Sequence, residues 1–387
     1  MAQANLNRVY AAVLFLLFSA GWAANHFTTI MVLLREQVGV SSELVNGAYG
    51  IYALGLVPSL LGGGALADRF GARPVVVVGG IVAAGGNLAL YFNHEGGALL
   101  LWRFIIGLGV GLSVSAGTAW SGRLKGASGM TMAGIMLTLG FATGPVAAST
   151  MAYFLQPDLN IEVPFIVTVV LSLVSVLITL VVGDARAPSM EVGSAQMPTY
   201  KRSMGKALAI SLPMAIWVFA SIATALVVLS SRTNSDFAPP VLLPGISAAL
   251  AFGTGIVVQA LGRKYGWGRR AGTAGASFAA IGFLLAAAGG ASVPVWLFIV
   301  AAFILGCAYG LNLREGLLGV EKYSPPQSRG IAIGIYYVFT YLGFGLPRLL
   351  DVIVPVVGPS LPFIILAVLA VGSAVIREVQ IRRGYVS

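Results

Sequence analysis

Charge is the scarcest property of this 387-residue chain: Asp, Glu, Lys and Arg make up 9% of it and hydrophobic types 58%, where a soluble domain carries about 25% charged residues. A chain so poor in charge cannot cover a water-facing surface, which excludes a soluble protein. Histidine is limited to two residues, and cysteine to Cys307 within an apolar run. A single cysteine forms no internal disulfide and packs as a small apolar residue, so the redox compartment leaves no trace. The sequence has no HExxH metal motif, no G-x-S-x-G nucleophile elbow and no phosphate loop. Neither enzyme chemistry nor a metal, a cofactor or ATP use is therefore expected. No small-residue cleavage site follows the first apolar run, so the first 35 residues read as a retained helix.

What is present is hydrophobic length. About 20 apolar residues cross the hydrocarbon core as a helix. Apolar runs bounded by charge, proline and glycine predict twelve spans, at 9–34, 43–66, 75–93, 98–119, 129–154, 163–183, 206–230, 238–261, 271–291, 294–313, 330–352 and 360–377. The expected fold class is an all-α membrane protein of twelve transmembrane helices. The net charge of +10 does not point to nucleic acid, because the cations follow topology rather than one binding face. With a cytoplasmic N-terminus, nearly all of them, from Arg8 and Arg69 through Arg314 and Arg377 to Arg383, fall in loops on one side. Arg35, Arg232 and Arg348 are the exceptions, with Arg103 inside a span. That asymmetry predicts a cell-membrane protein with both termini cytoplasmic.

The longest polar stretch, 184–205, contains Pro188, Glu191, Pro198 and the Lys201-Arg202 pair, and reads as a cytoplasmic linker. It separates an N-terminal six-helix bundle, 1–183, from a C-terminal one, 206–387. An internal echo supports the division: Gly64-Ala65-Leu66-Ala67-Asp68-Arg69-Phe70-Gly71 recurs as Gln259-Ala260-Leu261-Gly262-Arg263-Lys264-Tyr265-Gly266, an offset of 195 residues. Leu101-Trp102-Arg103-Phe104-Ile105 and Val295-Trp296-Leu297-Phe298-Ile299 repeat at nearly the same spacing. Parallel six-helix halves related by an axis along the membrane normal place a substrate site between them at mid-depth. One chain contains both halves and can work as a monomer.

Polarity differs between spans. The third, sixth, ninth and twelfth hold little beyond glycine, alanine, aliphatic and aromatic side chains, and are expected to face lipid. By contrast the first carries Asn25 and His26, the second Asn46, Tyr49 and Tyr52, the tenth Tyr309 and Asn312, and the eleventh Tyr336, Tyr337, Thr340 and Tyr341. Polar groups in hydrocarbon are expensive unless they face protein or water, so these spans should line an interior, the plan of a small-molecule carrier.

Four motifs go further. Gly64-Ala65-Leu66-Ala67-Asp68-Arg69-Phe70-Gly71-Ala72-Arg73 follows the second span. Arg103-Phe104-Ile105-Ile106-Gly107-Leu108-Gly109 lies in the fourth, Gly140-Phe141-Ala142-Thr143-Gly144-Pro145 in the fifth, and Gly343-Phe344-Gly345-Leu346-Pro347 in the eleventh. On these residues the chain resembles the major facilitator superfamily, and specifically its twelve-span drug:proton antiporter branch. The first motif matches the family's loop G-x-L-A-D-R-x-G-R-R except at Ala72. Ile106 stands where glutamine is usual, Ala148 where a glycine often follows, and Arg263 replaces the acid in the second half. The resemblance implies a gating loop at Gly64, Asp68, Arg69, Gly71 and Arg73, in which Asp68 caps a neighbouring helix or pairs with an arginine across the gate. It implies proton transfer at Arg103, and an export-associated signature at Gly140, Gly144 and Pro145. Without the family, the same residues also fit a charged topology anchor, a structural hydrogen-bond hub and close helix packing.

The candidate acids Asp68, Glu43, Glu315 and Asp351 all fall near span ends, so no carboxylate is expected at mid-membrane. That argues against permanently cationic substrates and for neutral, amphipathic or anionic ones, with Arg103 as a counter-charge. His26 is the remaining titratable group inside the first span, and an unperturbed value of about 6.5 suits a proton shuttle. Asn25 beside it, with Asn46, Tyr49 and Tyr52, predicts a polar cluster, although a buried histidine also serves as a structural donor. Arg348 and Asp351, three residues apart, predict a local ion pair. The expected function is a proton-coupled exporter of small lipophilic or amphipathic compounds. The alternative is an importer or facilitator of a sugar or organic acid on the same fold.

Overall fold

The computed structural model describes residues 2–183, 202–233, 238–325 and 328–386. They form twelve helices long and apolar enough to span a membrane: α1 (Gln3–Glu36), α2 (Ser42–Phe70), α3 (Ala72–Phe92), α4 (Gly96–Gly126), α5 (Ser128–Phe154) and α6 (Glu162–Val182) in the first bundle, then α7 (Met204–Arg232), α8 (Pro240–Lys264), α9 (Ala271–Gly289), α10 (Val295–Tyr323), α11 (Arg329–Val357) and α12 (Leu361–Arg382) in the second. Alternating direction puts the chain termini and the 64–73 loop at one end, called here the terminal end. The opposite end is the distal end. Most of the expected linker, 184–201, lies outside the described residues, and α7 already begins at Met204, where the Ser203 hydroxyl accepts from the Lys206 amide at 3.1 Å.

Several helices run further than the apolar pattern predicted: among them α4 reaches Gly126, α10 reaches Tyr323, α11 reaches Val357 and α12 reaches Arg382. Charged residues marked loops in the sequence reading, yet Arg and Lys are good helix formers and extend their stems along apolar surface. Arg314 and Arg377, expected in loops, therefore sit within α10 and α12. Arg377 is 3% exposed, and neighbouring Glu315 is likewise buried. The reversal between α4 and α5 occurs at Gly126, whose φ of 62° is left-handed and strains any side chain.

Inside each bundle, equivalent helix pairs meet through glycine. A Cβ on Gly55 of α2 would stand 2.1 Å from the Phe104 carbonyl of α4, and one on Gly107 would stand 2.2 Å from the Tyr52 carbonyl. In the second bundle the α8–α10 pair repeats this, with Gly306 against Ala251 and Gly310 against Gly255. Gly140 of α5 abuts the α1 backbone at Phe18 and Gly21, while Gly343 of α11 abuts the α7 backbone at Phe219 and Ala220. These are backbone-to-backbone contacts, the means by which membrane helices approach closely without a hydrophobic driving force.

The lipid-facing expectation fits α6 and α12 best. Leu173, Leu177 and Val181 of α6 and Val368, Leu369 and Val375 of α12 are all exposed. On α3 and α9 the exposed apolar set is smaller, for instance Val78 and Ile81, and Ile281 and Leu284, because their glycine and alanine faces pack inward.

Candidate functional site: the interface between the two bundles

The centre of the molecule is a ring cluster drawn from six helices. Phe219 of α7 stacks on Tyr341 of α11, with centroids 4.6 Å apart and planes 17° apart. It also meets Phe344 at 4.8 Å, Phe141 of α5 at 5.8 Å and Tyr309 of α10 at 6.0 Å. Phe252 of α8 closes the set edge-on to Tyr309 at 5.2 Å, and Tyr49 and Tyr52 of α2 lie 4.8 and 5.8 Å from Phe344. Every one of these rings is buried. The Thr138 and Tyr309 hydroxyls, 3.2 Å apart, bridge the bundles. The hydroxyls of Tyr49, Tyr52 and Tyr341 are buried without a hydrogen-bond partner. Buried hydroxyls are normally paired, so these three are open to water or to a bound molecule.

Sequence reasoning selected Tyr49, Tyr52 and Tyr341 but missed Phe219, Phe252 and Phe344 as site residues. Only a repeat of aromatic residues in spans facing the interface could have signalled them. Tyr336 is placed differently: its hydroxyl donates to the Asn312 carbonyl at 2.9 Å, packing α11 onto α10. The Asn312 amide turns back to Ala308 of its own helix at 2.9 Å. Tyr337, half-buried, lies at the edge of the cluster, 6.3 Å from Tyr341.

Beside the rings, α1 is interrupted at His26. The guanidinium of Arg103, fully buried, donates to the Ala24 carbonyl at that break and to the Ala48 carbonyl of α2, both at 3.4 Å. It lies over Phe27 at 4.3 Å and Tyr52 at 4.6 Å, a sandwich of the cation–π kind. Arg103 thus joins α1, α2 and α4 where a helix end needs a donor. Its Nη1 has no partner. His26 is buried against Phe165 of α6, edge to face at 5.7 Å, with Nδ1 3.3 Å from the Trp22 carbonyl and Nε2 unpartnered. Asn25 reaches the Phe141 carbonyl at 3.5 Å.

The expected cluster of Asn25, His26, Asn46, Tyr49 and Tyr52 is not assembled as one group, because Asn46 is taken elsewhere. Its amide nitrogen lies 3.0 and 3.1 Å from the two carboxylate oxygens of Asp351 on α11, at the distal end. Arg348 bridges to Glu43 of α2 at 3.7 Å and to Asp351 at 3.9 Å. The predicted local pair is therefore part of a connection between bundles, beside a distal cavity of about 260 Å³. A second distal connection runs from Thr29 of α1 to Ser149 of α5 at 2.8 Å, and from Ser149 to the Gly245 amide of α8 at 3.1 Å.

Among the described residues, the charged residues of the 64–73 loop make no bond across the bundles. Asp68 pairs with Arg123 of α4 at 3.3 Å, both in the first bundle and both exposed. It does not cap α3, whose cap residue is Gly71 at a φ of 89° with no side-chain bond. Arg73 reaches the Thr179 carbonyl of α6 at 3.3 Å, and Arg69 lies over Phe70. Gly64 sits 3.8 Å, by its added Cβ, from the Ser115 hydroxyl. Gly140 and Gly144 form the α5 stripe against α1. Pro145, having no amide hydrogen, leaves the Phe141 carbonyl without its helix donor, and that carbonyl accepts from Asn25, while the Pro145 carbonyl accepts from Thr29 at 3.2 Å.

Two bundles of six helices, glycine-packed helix pairs and a ring cluster between the halves define an architecture, and the sequence profile of one family covers most of it. The profile of the Major Facilitator Superfamily matches residues 13–347. The chain belongs to the Major Facilitator Superfamily. Within this superfamily of membrane transporters it is similar to the multidrug resistance protein MdtH of Klebsiella pneumoniae (strain 342), 40% identical over 85 residues, or 21% of either chain. It is also similar to MdtL of the same organism, 31% identical over 78 residues, 20% of either chain. The chain thus matches about a fifth of the length of these curated relatives. Among solved structures, a variant of the peptide transporter POT superposes with a TM-score of 0.78 at 14% identity, covering 98% of this chain and 95% of that one. A POT family transporter in complex with 5-aminolevulinic acid does so at 0.73 and 14%, covering 98% and 96%. At such identities the likeness is one of fold.

Proposed function

We propose that this transporter-family protein is a proton-coupled exporter of small lipophilic or amphipathic compounds, working by alternating access. The observation that carries the reading is the central ring cluster. Six helices of both bundles supply it, three of its hydroxyls are unpaired, and none of its ring contacts involves a carboxylate. Stacking faces with a few spare hydrogen-bonding groups suit an aromatic or amphipathic molecule. The printed names of the MdtH and MdtL relatives, and the resemblance of Gly140, Gly144 and Pro145 to an export-associated signature, support export.

His26 and Arg103 are assigned the coupling role, with the gating loop around Asp68 controlling the terminal end. The positive-inside distribution assigns that end to the cytoplasm of a cell-membrane protein. Of the hydrogen-bonded connections between bundles described above, two lie at the distal end and the third, Thr138 to Tyr309, within the ring cluster, and on that basis this conformation is read as the one closed to the outside. One proton moving down a potential carries about 2.3 kcal/mol per 100 mV, enough to sustain a gradient of about fifty-fold for a neutral compound.

The test is substrate-dependent proton flux in liposomes holding a pH-sensitive dye, across a panel of lipophilic cations, neutral drugs, sugars and organic acids. Proton movement opposite to a lipophilic compound, lost in His26→Ala or Arg103→Ala and altered in compound preference by Phe219→Ala, is the expected result. Flux with a sugar or organic acid only, or uptake indifferent to pH, overturns the exporter reading.

A further inference from the structure

A second polar site lies outside the interface, at the terminal end of the second bundle. There α10 carries Glu315, whose carboxylate is shared by two guanidiniums. Arg314 bonds one oxygen and also the Gly262 carbonyl at 3.1 Å, while Arg377 of α12 stands 3.7 Å from the other oxygen. Arg377 is 3% exposed, yet its Nε and Nη1 have no hydrogen-bond partner. One carboxylate balances one of the two cations, so a buried positive charge is left with two unused donors. Such a charge is expensive to hold in a protein interior, by several kcal/mol, unless an anion accompanies it.

Arg377 lines a cavity of about 460 Å³ together with Arg202, Arg269, Lys322 and Arg329. Among the described residues, Glu315 and Glu321 are the acids on the same wall, against the four guanidiniums of Arg202, Arg269, Arg329 and Arg377. Arg202 and Arg329, half-buried, each leave Nε unpartnered. Arg269 reaches inward to the Val386 carbonyl at 3.3 Å. Guanidiniums converge here from α12, from the start of α11 and from the segment before α7. A planar carboxylate is matched by one guanidinium fork, whereas several forks arriving from different directions suit the tetrahedral oxygens of a phosphate.

We propose that this cavity is a binding site for a phosphate group, separate from the transport pathway, with Arg377 as its buried anchor and Arg202 and Arg329 as its rim. The phosphate comes either from an anionic phospholipid headgroup at the membrane surface or from a free phosphate in solution. Occupancy would clamp α12, α11 and the entry to α7 at one end of the second bundle.

The experiment is thermal unfolding of the full-length protein in neutral detergent, titrated with inorganic phosphate or with phosphatidylglycerol mixed micelles, against sodium chloride at matched ionic strength. The expected result is a saturable rise in Tm with phosphate, phosphatidylglycerol or both, and no comparable rise with chloride. A response to both assigns phosphate in general, and a response to the lipid alone assigns the headgroup. Arg329→Gln and Arg202→Gln, on the rim, should raise the midpoint of the titration at least tenfold each while leaving the ligand-free Tm near wild type. Arg377→Gln should abolish the response, and the rim variants carry the test if that variant fails to fold. Equal responses to chloride and phosphate, no saturable response, or midpoints unmoved in both rim variants would overturn the site.

Discussion

The amide of Asn46 holds both carboxylate oxygens of Asp351 across the distal end, at 3.0 and 3.1 Å, joining the first bundle to the second. A hydrogen bond to a charged group contributes about 1.5–3 kcal/mol, and this one exists only while the distal end is shut. Asn46→Ala should therefore shift the population toward the distal-open form by about tenfold or more. Val227, 6% exposed, lines the distal cavity with both residues and is a suitable reporter. In a Cys307→Ser, Val227→Cys background, reaction with a membrane-impermeant maleimide should accelerate by a similar factor when Asn46 is replaced. An unchanged rate would show that the connection has no differential energy between the two forms.

Two glycines six residues apart on α5 should respond in opposite ways. An added Cβ on Gly140 would fall 2.1 Å from the Phe18 carbonyl and 3.0 Å from the Gly21 Cα, both backbone, whereas at Gly134 nothing lies within 4 Å. Gly140→Ala must force α1 and α5 apart and should destabilise by more than about 2 kcal/mol, with transport lost. Gly134→Ala should transport as wild type and gain up to about 1 kcal/mol of stability, because alanine is the better helix former where space is open. Thermal unfolding and vesicle transport of the two variants side by side provide the check, and equal behaviour would contradict the packing.

Arg103 spans the carbonyls of Ala24 and Ala48 with two different nitrogens. A lysine keeps the charge but cannot fork to both, nor stack as a plane between Phe27 and Tyr52. Arg103→Lys should lose about 2 kcal/mol of stability and slow transport, while keeping whatever pH dependence the wild type has. If Arg103→Lys matches wild type in both measurements, the positive charge alone is what the position requires.

Asp68 and Arg123 form an exposed pair, with side chains 79% and 45% exposed. Such pairs contribute at most about 1 kcal/mol. Asp68→Asn should leave Tm within a few degrees of wild type yet reduce transport several-fold, since the role proposed for it is in switching rather than folding. The exchange Asp68→Arg with Arg123→Asp should recover part of the activity. A fall in Tm that parallels the fall in transport would assign the residue to stability instead.

Hydrophobic length is a local property, and for that reason the twelve helices could be read directly from runs such as 163–183. The ends could not, because Arg123, Arg314 and Lys322 continue their helices while looking like loop residues. Within the interface, polarity drew attention to Tyr49, Tyr52 and Tyr341, which the structure brings together. Phe219 and Phe252 resemble any other apolar residue in a membrane segment until packing places them. Asn46 and Asp351 are 305 positions apart, and no pattern along the chain pairs them. The placement of Glu315 between Arg314 and Arg377 was hidden for the same reason, since α10 and α12 meet only in the folded bundle.

The glycine contacts that join α2 to α4 and α8 to α10 leave no side-chain cushion between backbones. Helices pressed together in this way cannot slide past one another without first separating, so each bundle moves as a single solid piece. Conformational freedom is then confined to the seam, where a handful of hydrogen bonds and ring contacts decide between shapes. Substitutions inside a bundle should accordingly change how much folded protein a cell contains, and those along the seam how the folded molecules divide their time.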